Sequence, residues 1–121
     1  MLPFWNHTLT LIHRVESKDE SGKTHVSFIK ETLKECFWKE SVSTSLVGNT
    51  VVYIRSVTCR VPSSQMMPNV GDALFDCNVE CPISNSELND MVAKNQSKSC
   101  RVKAVTDNAK FTIPHYSIKG E

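Results

Sequence analysis

The sequence predicts a mainly β fold, a small barrel or sandwich with one short α-helix, and three observations carry that expectation. Residues 46–62 form the longest run of β-branched and aromatic residues, framed by turn formers. Five or more strand-like runs recur along the chain at short spacing. Ser84 and Glu87 open residues 85–94 with a helix-capping signature. At 121 residues the chain is one domain, long enough for a single core.

Taken in order, residues 8–15 alternate as a strand, with Leu9 and Leu11 on one face and Thr8, Thr10 and Ile12 on the other. The polar stretch 16–23 reads as a hairpin tip in which Gly22 takes a positive φ. Residues 24–40 carry two signals. Val26 and Phe28 suit a strand, whereas Leu33, Cys36 and Phe37 have helical spacing; the strong β signals on either side favour two consecutive strands or one bent strand. Residues 41–45 read as a polar connection. Gly48-Asn49 opens a turn and Pro62 closes the strand that follows. Val51, Tyr53, Arg55, Val57, Cys59 and Val61 share one face of it, Val52, Ile54, Ser56, Thr58 and Arg60 the other. The first face is nearly all apolar, so a strand at the centre of the sheet is expected, with that set, or else Val52 and Ile54, largely buried.

Residues 63–71 are loop, because Pro68 lacks the N–H that a helix or interior strand needs. Residues 72–77 make a short strand. Ser84 and Glu87 form an S-x-x-E capping box, predicting a helix over 85–94 whose buried stripe is Leu88, Met91 and Val92. Residues 99–106 and 110–119 close the chain as a hairpin turning at Asp107-Asn108-Ala109.

The charge balance of +1, from 14 basic and 13 acidic residues, makes no overall case for binding nucleic acid or an anionic membrane. Between residues 61 and 93 there is no Lys or Arg, while Asp72, Asp76, Glu80, Glu87 and Asp90 fall inside that span. An acidic partner-facing or channel-facing surface is one reading of them; an ordinary solvated face is the other. The opening residues lack a basic region followed by a long apolar core, so no signal peptide is expected, and no run reaches the length of a membrane span. Five cysteines, an odd number without an export signal, point to reduced thiols in a cytoplasm.

Chemistry-bearing motifs are scarce. Cys77 and Cys81 form the one close cysteine pair, and zinc would require two more ligands from residues that make no second pair, so no metal and no cofactor is expected. No G-x-S-x-G, H-E-x-x-H or phosphate-cradling glycine loop occurs, and no enzyme is expected. The better clues are apolar. Phe4 and Trp5 lie in an N-terminal arm, residues 1–7, and Met66-Met67 sit in a loop; both are candidate subunit contacts, although each could fold back on its own barrel. An apolar fraction of 40% is also modest, as if other subunits complete the buried surface.

In sequence order, TLTLIHR, HVSFIKETLKECFW, VTCRVP, VGDALFDC and CRVKAVTDNAKFTIPHYSIKG, with Gly71-Asp72 leading one strand and His115-Tyr116 in the last hairpin, resemble small proteins of the head-to-tail module of tailed bacteriophages and prophages of Gram-positive bacteria. The chain departs from them in its long central strand and in the acidic segment with its helix. The resemblance implies a structural virion protein of the neck, of the head-closure or stopper type, made in the host cytoplasm. Such barrels ring the channel between portal or adaptor and tail and retain packaged DNA. The resemblance implies as partners copies of the chain itself, portal or adaptor and tail proteins, and DNA in passage, with no membrane and no catalytic residue. A tail terminator is a weaker resemblance. A small nucleic-acid-binding barrel and a host-directed adaptor are the readings from other classes.

Overall fold

The computed structural model describes residues 5–108 and 114–121. Six antiparallel strands, β1 (His7–Lys18), β2 (Thr24–Val47), β3 (Thr50–Pro62), β4 (Ala73–Phe75), β5 (Ser99–Asn108) and β6 (His115–Gly120), close into a barrel in the order β1-β2-β3-β6-β5-β4. The one α-helix, α1, spans Asn85–Lys94. The mainly β class with a single short helix is therefore what the chain adopts.

The alternation in β1 sorts its residues as expected. Leu9 and Leu11 enter the barrel interior with Leu33, Cys36, Val57, Cys59, Val61, Leu74, Cys100, Val102 and Ile118. Ile12 faces outward into a second cluster with Ala73, Phe75 and Leu88, where α1 covers the β1–β4 wall. Six strands enclose an interior only wide enough for side chains, so the lumen is a packed core rather than a pore. The Ser84 hydroxyl caps α1 by accepting from the Glu87 N–H at 3.1 Å. Leu88 is buried, and Met91 and Val92 pack beside the cluster, so the expected stripe is the docking face.

Residues 24–40 are indeed strand. β2 runs unbroken for 24 residues but changes partner within it: residues up to Cys36 pair with β1, and Phe37 onward pair with β3. The change coincides with a bulge. Between His7–Cys36 and Leu9–Leu33, β1 advances two residues and β2 three, and Glu35 takes a positive φ of 56°. The bulge leaves backbone groups of Lys34 without a strand partner, and the Gln65 side-chain amide supplies one. Its oxygen accepts from the Lys34 N–H at 2.7 Å and its nitrogen donates to the Lys34 carbonyl at 2.6 Å.

Several boundaries differ from expectation, and the strand expected over 72–77 shrinks to Ala73–Phe75. Residues 41–45 are not a connection: they continue β2, paired through Ser41–Ser56 to Ser45–Val52, because a solvated ribbon takes Ser and Thr as readily as apolar residues. Residues 16–18 extend β1, so the hairpin tip shrinks to 19–23, where Gly22 has a φ of 82°. Asp107 and Asn108 remain in β5, opposite Tyr116 and His115; Ala109 and the expected start of the last strand at Lys110 lie outside the described residues.

The β1–β2 tip is organised by one carboxylate. Asp19 accepts from the Ser21 hydroxyl at 2.6 Å, the Ser21 N–H at 3.0 Å and the Lys23 N–H at 2.9 Å, and its second oxygen pairs with His25 at 2.8 Å. Chiefly through the Ser21 hydroxyl, then His25 and the Lys23 amide, its acidity is held at about 2, below the ordinary 3.8. A depressed carboxyl pKa stabilises the tip above the unfolded value and loses that contribution as pH falls through the folded one. A pH titration followed by NMR is expected to place the Asp19 carboxyl near 2, and Ser21→Ala is expected to move it upward; an unchanged midpoint in Ser21→Ala would remove the hydroxyl as the cause.

The bulge gives a second test. A non-glycine residue in the left-handed region costs about 1–2 kcal/mol, whereas glycine in an ordinary strand position loses about 0.5–1 kcal/mol. Glu35→Gly is therefore expected to leave stability unchanged or raise it by up to about 1 kcal/mol, while Glu31→Gly, on the same strand opposite Leu11, lowers it. Denaturant unfolding of both variants checks the sign.

Candidate interaction surface

Most of the exposed large hydrophobics among the described residues gather on one hairpin, formed by the ends of β2 and β3. β3 has strand neighbours on both sides only from Val57 to Pro62, where β2 flanks one edge and β6 the other. Beyond that point β2 and β3 continue as a two-stranded arm, residues 41–56, closed by a tight turn at Gly48-Asn49 in which Gly48 has a φ of 64°. Seven residues per strand at ~3.3 Å each carry it roughly 20 Å past the barrel.

Here the expected burial is overturned in half of the strand. Val57, Cys59 and Val61 are buried, but Val51, Tyr53, Val52 and Ile54 are exposed, Tyr53 to 72%. The alternation is intact; what is missing is a layer to face it. With Val42, Leu46 and Val47 these make seven of the eleven large exposed hydrophobics among the described residues. The paired residues Leu46–Val51, Thr44–Tyr53 and Val42–Arg55 lie on the face that runs on from the barrel interior. Val47–Thr50, Ser45–Val52 and Ser43–Ile54 lie on the other. Apolar side chains thus project from both faces. From Ser41 to Ile54 there is no Asp, Glu, Lys, Arg or His.

The root of the arm, by contrast, is ionic and fixed. Arg55 pairs with the Glu40 carboxylate and donates to the Ser99 carbonyl at 2.8 Å, and the Ser41 and Ser56 hydroxyls meet at 3.0 Å. Beside it a groove of about 610 Å³ is lined by Glu40, Arg55, Val92, Ser99, Arg101 and Glu121, among others. Its cations and carboxylates alternate, so it has no single-sign field to capture an ionic ligand.

The residues expected to mediate assembly lie elsewhere. Trp5 is 9% exposed, with its ring edge-on to His115 at 5.5 Å, so this part of the N-terminal arm folds back on its own barrel. Phe4 lies outside the described residues. Met66 packs against the barrel core, and Met67 alone of the pair is exposed, in a loop pinned by Gln65 and by buried Pro68. The acidic residues do not form one surface either. Asp72 is buried, accepting from the Asn69 N–H at 2.9 Å and pairing with His13 at 2.8 Å, while Asp76 pairs with His7 at 3.0 Å. Glu80 and Asp90 are exposed and Glu87 is half-buried. A buried Asp needs satisfied oxygens, and Asn69 and His13 supply them; that use removes Asp72 from any channel face.

No cluster of three or more His, Cys, Asp or Glu converges among the described residues. The pairs His7–Asp76, His13–Asp72 and His25–Asp19 place no hydroxyl or thiol on the imidazole. Cys36, Cys59 and Cys100 are inside the barrel. Burial pushes the Cys36 thiol up to about 12, and the Cys59 thiol is also raised, by its hydrogen bond to Cys100 and by burial. Cys36 and Cys59 are thus inert packing groups, while Cys100, its pKa lowered by its hydrogen bond to Cys59, is kept from reagents by burial.

Residues 4–121 match the model of DUF6751, a family of unknown function. No curated protein matches the chain.

The thiols report directly on this arrangement, because all five are free. In the native protein a thiol reagent is expected to modify Cys81 quickly and half-buried Cys77 more slowly, leaving Cys36, Cys59 and Cys100 untouched. After unfolding without reductant all five should react. Fast native labelling of a third thiol, read by mass spectrometry, would contradict the packed lumen.

Proposed function

The chain belongs to DUF6751, a family of unknown function matched over nearly its whole length, and from that premise we propose that it is a structural assembly protein, the ring-forming head-closure component of a bacteriophage neck. In this role it sits between portal or adaptor and tail and holds packaged DNA in the head. The observation that carries the reading is the arm: a two-stranded projection without charge from Ser41 to Ile54, bearing seven exposed large hydrophobics, suits a surface covered by another protein. The order of sequence motifs that resembles small neck proteins supports the particular assembly.

The electrostatics suit the role. Each phosphate neutralised by a cation adds salt-dependent affinity, so a wall that DNA slides past works best without a basic field. A net charge of +1 and an arm lacking cations over residues 41–54 meet that requirement. The same features weigh against a nucleic-acid-binding barrel, which would present cations interleaved with aromatics.

Removal of the gene from a phage or prophage that encodes it is the decisive experiment. Heads are expected to fill and then lose DNA or fail to acquire tails, seen by electron microscopy and by nuclease sensitivity of the packaged genome. Normal infectious particles would end the neck assignment.

A further inference from the structure

We propose that the β2–β3 arm is covered by the arms of further copies of this chain, joined edge to edge in a closed cyclic antiparallel belt. The argument starts from the edges. Residues 41–47 of β2 and 50–56 of β3 pair with each other and with no other strand among the described residues, so each arm carries two rows of unpaired backbone N–H and C=O groups. Proteins ordinarily protect such edges with lysine, proline or inward-pointing charge, and residues 41–54 contain none of these. An unprotected edge of this length is one that meets a strand.

The chemistry of the arm decides what kind of strand. A lipid bilayer is a poor occupant, because both edges would carry unsatisfied backbone groups into hydrocarbon. Nucleic acid is a poor occupant, because no cation is present to meet phosphate. An unrelated protein pairing with one edge leaves the other open. When arms stand side by side in the same orientation, the β3 edge of one meets the β2 edge of the next in antiparallel sense, and each contact is the same as the last. A cycle of such contacts leaves no free edge anywhere. Lack of charge matters here too, since identical arms bring identical residues close and any like charges would repel.

The apolar surface adds to the edge argument. The seven apolar residues expose on the order of 700 Å² shared between the two faces of the arm, and edge pairing sets the side chains of neighbouring arms beside one another along each face, covering part of it. The arm root is held by Arg55 through Glu40 and the Ser99 carbonyl, so the projection is aimed before it meets a neighbour. Preorganisation of that kind lowers the cost of association. This inference deepens the assembly reading but concerns only self-association, and it is tested without phage.

The test uses the purified full-length chain over a concentration series, with mass by sedimentation and native mass spectrometry and amide protection by hydrogen exchange. The expected result is one discrete cyclic oligomer of three or more copies, with protection of residues 41–56 rising with concentration. Leu46→Lys combined with Tyr53→Lys is expected to weaken association at least about tenfold while amides of 57–62 in the barrel keep their protection. Val52→Lys, on the opposite face, provides a second arm variant should the first perturb folding. Ile83→Lys, at the most exposed apolar side chain outside the arm, is expected to behave as the unaltered protein.

A chain that stays monomeric with rapidly exchanging arm amides at every concentration would overturn the proposal. So would a dimer that goes no further, an oligomer indifferent to the arm variants, or arm protection that arises only on adding phosphatidylglycerol vesicles or duplex DNA. A cyclic oligomer in solution from a gene whose loss leaves particles normal would keep the belt and remove the neck assignment.

Discussion

The change of partner within β2 is the constraint on which the rest of the structure depends. Up to Cys36 this strand completes the barrel wall beside β1; from Phe37 it belongs with β3. One extra residue at Glu35, in a conformation that only glycine adopts without penalty, separates the two halves. The bulge re-aims the strand, and everything after it follows. β3 must return alongside the distal half, and only its last six residues, Val57–Pro62, come back far enough to meet β6 and seal the barrel. The remainder has nowhere to go but outward. That Gln65 presents its amide to both backbone groups of Lys34 shows how the loop after β3 was recruited to make the bulge tolerable.

Closure imposes its own restrictions on the lumen. Six strands leave room for medium and small side chains, and three cysteines occupy part of it as compact apolar groups. Gly120 shows how little slack remains: a β-carbon there would stand 2.6 Å from the Cys100 sulfur and 2.9 Å from the Arg101 carbonyl oxygen. The second bulge, between Val102 and Ala104 opposite the end of β6, lies at this same crowded seam. Among the described residues, α1 covers the outside of the β1–β4 wall, and there the exterior face of β1 turns apolar at Ile12. Burying Leu88 in this layer contributes about 1.5–3 kcal/mol.

In the proposed assembly, barrel and arm divide the labour between stability and association. The barrel buries most of its aliphatic residues in its own core, whereas an isolated two-stranded ribbon is marginal in water even when its hydrogen bonds are complete. The arm takes its direction from its charged root, and in the proposed belt the pairing with further copies would order it. Placing the apolar surface on a projection rather than on the barrel wall separates the two requirements, since side chains on the arm can be selected for association without disturbing the core.

Much of this architecture was legible in the chain itself. Alternation in residues 8–15 assigned Leu9 and Leu11 to one side and Ile12 to the other, the Ser84–Glu87 spacing marked the start of the helix, and Gly48-Asn49 marked the turn. These are local properties, set by side-chain period and by the conformations that particular residues allow. Sequence reasoning failed where the outcome depended on what lay across from a strand. Val51, Tyr53, Val57 and Cys59 continue one alternating pattern, yet the first two stand in solvent and the last two in the core, because β6 reaches only as far as Val57. Trp5, conspicuous as an apolar residue near the chain start, found His115, 110 positions away, and Asp72 found His13. The charge-free stretch from Ser41 to Ile54 was visible in the sequence, but its serines and threonine at 41–45 read as a connection, and only the pairing with β3 made it half of an arm. Periodicity states which residues share a face; only the tertiary pairing of strands decides whether that face is covered by the chain's own barrel or left for another molecule.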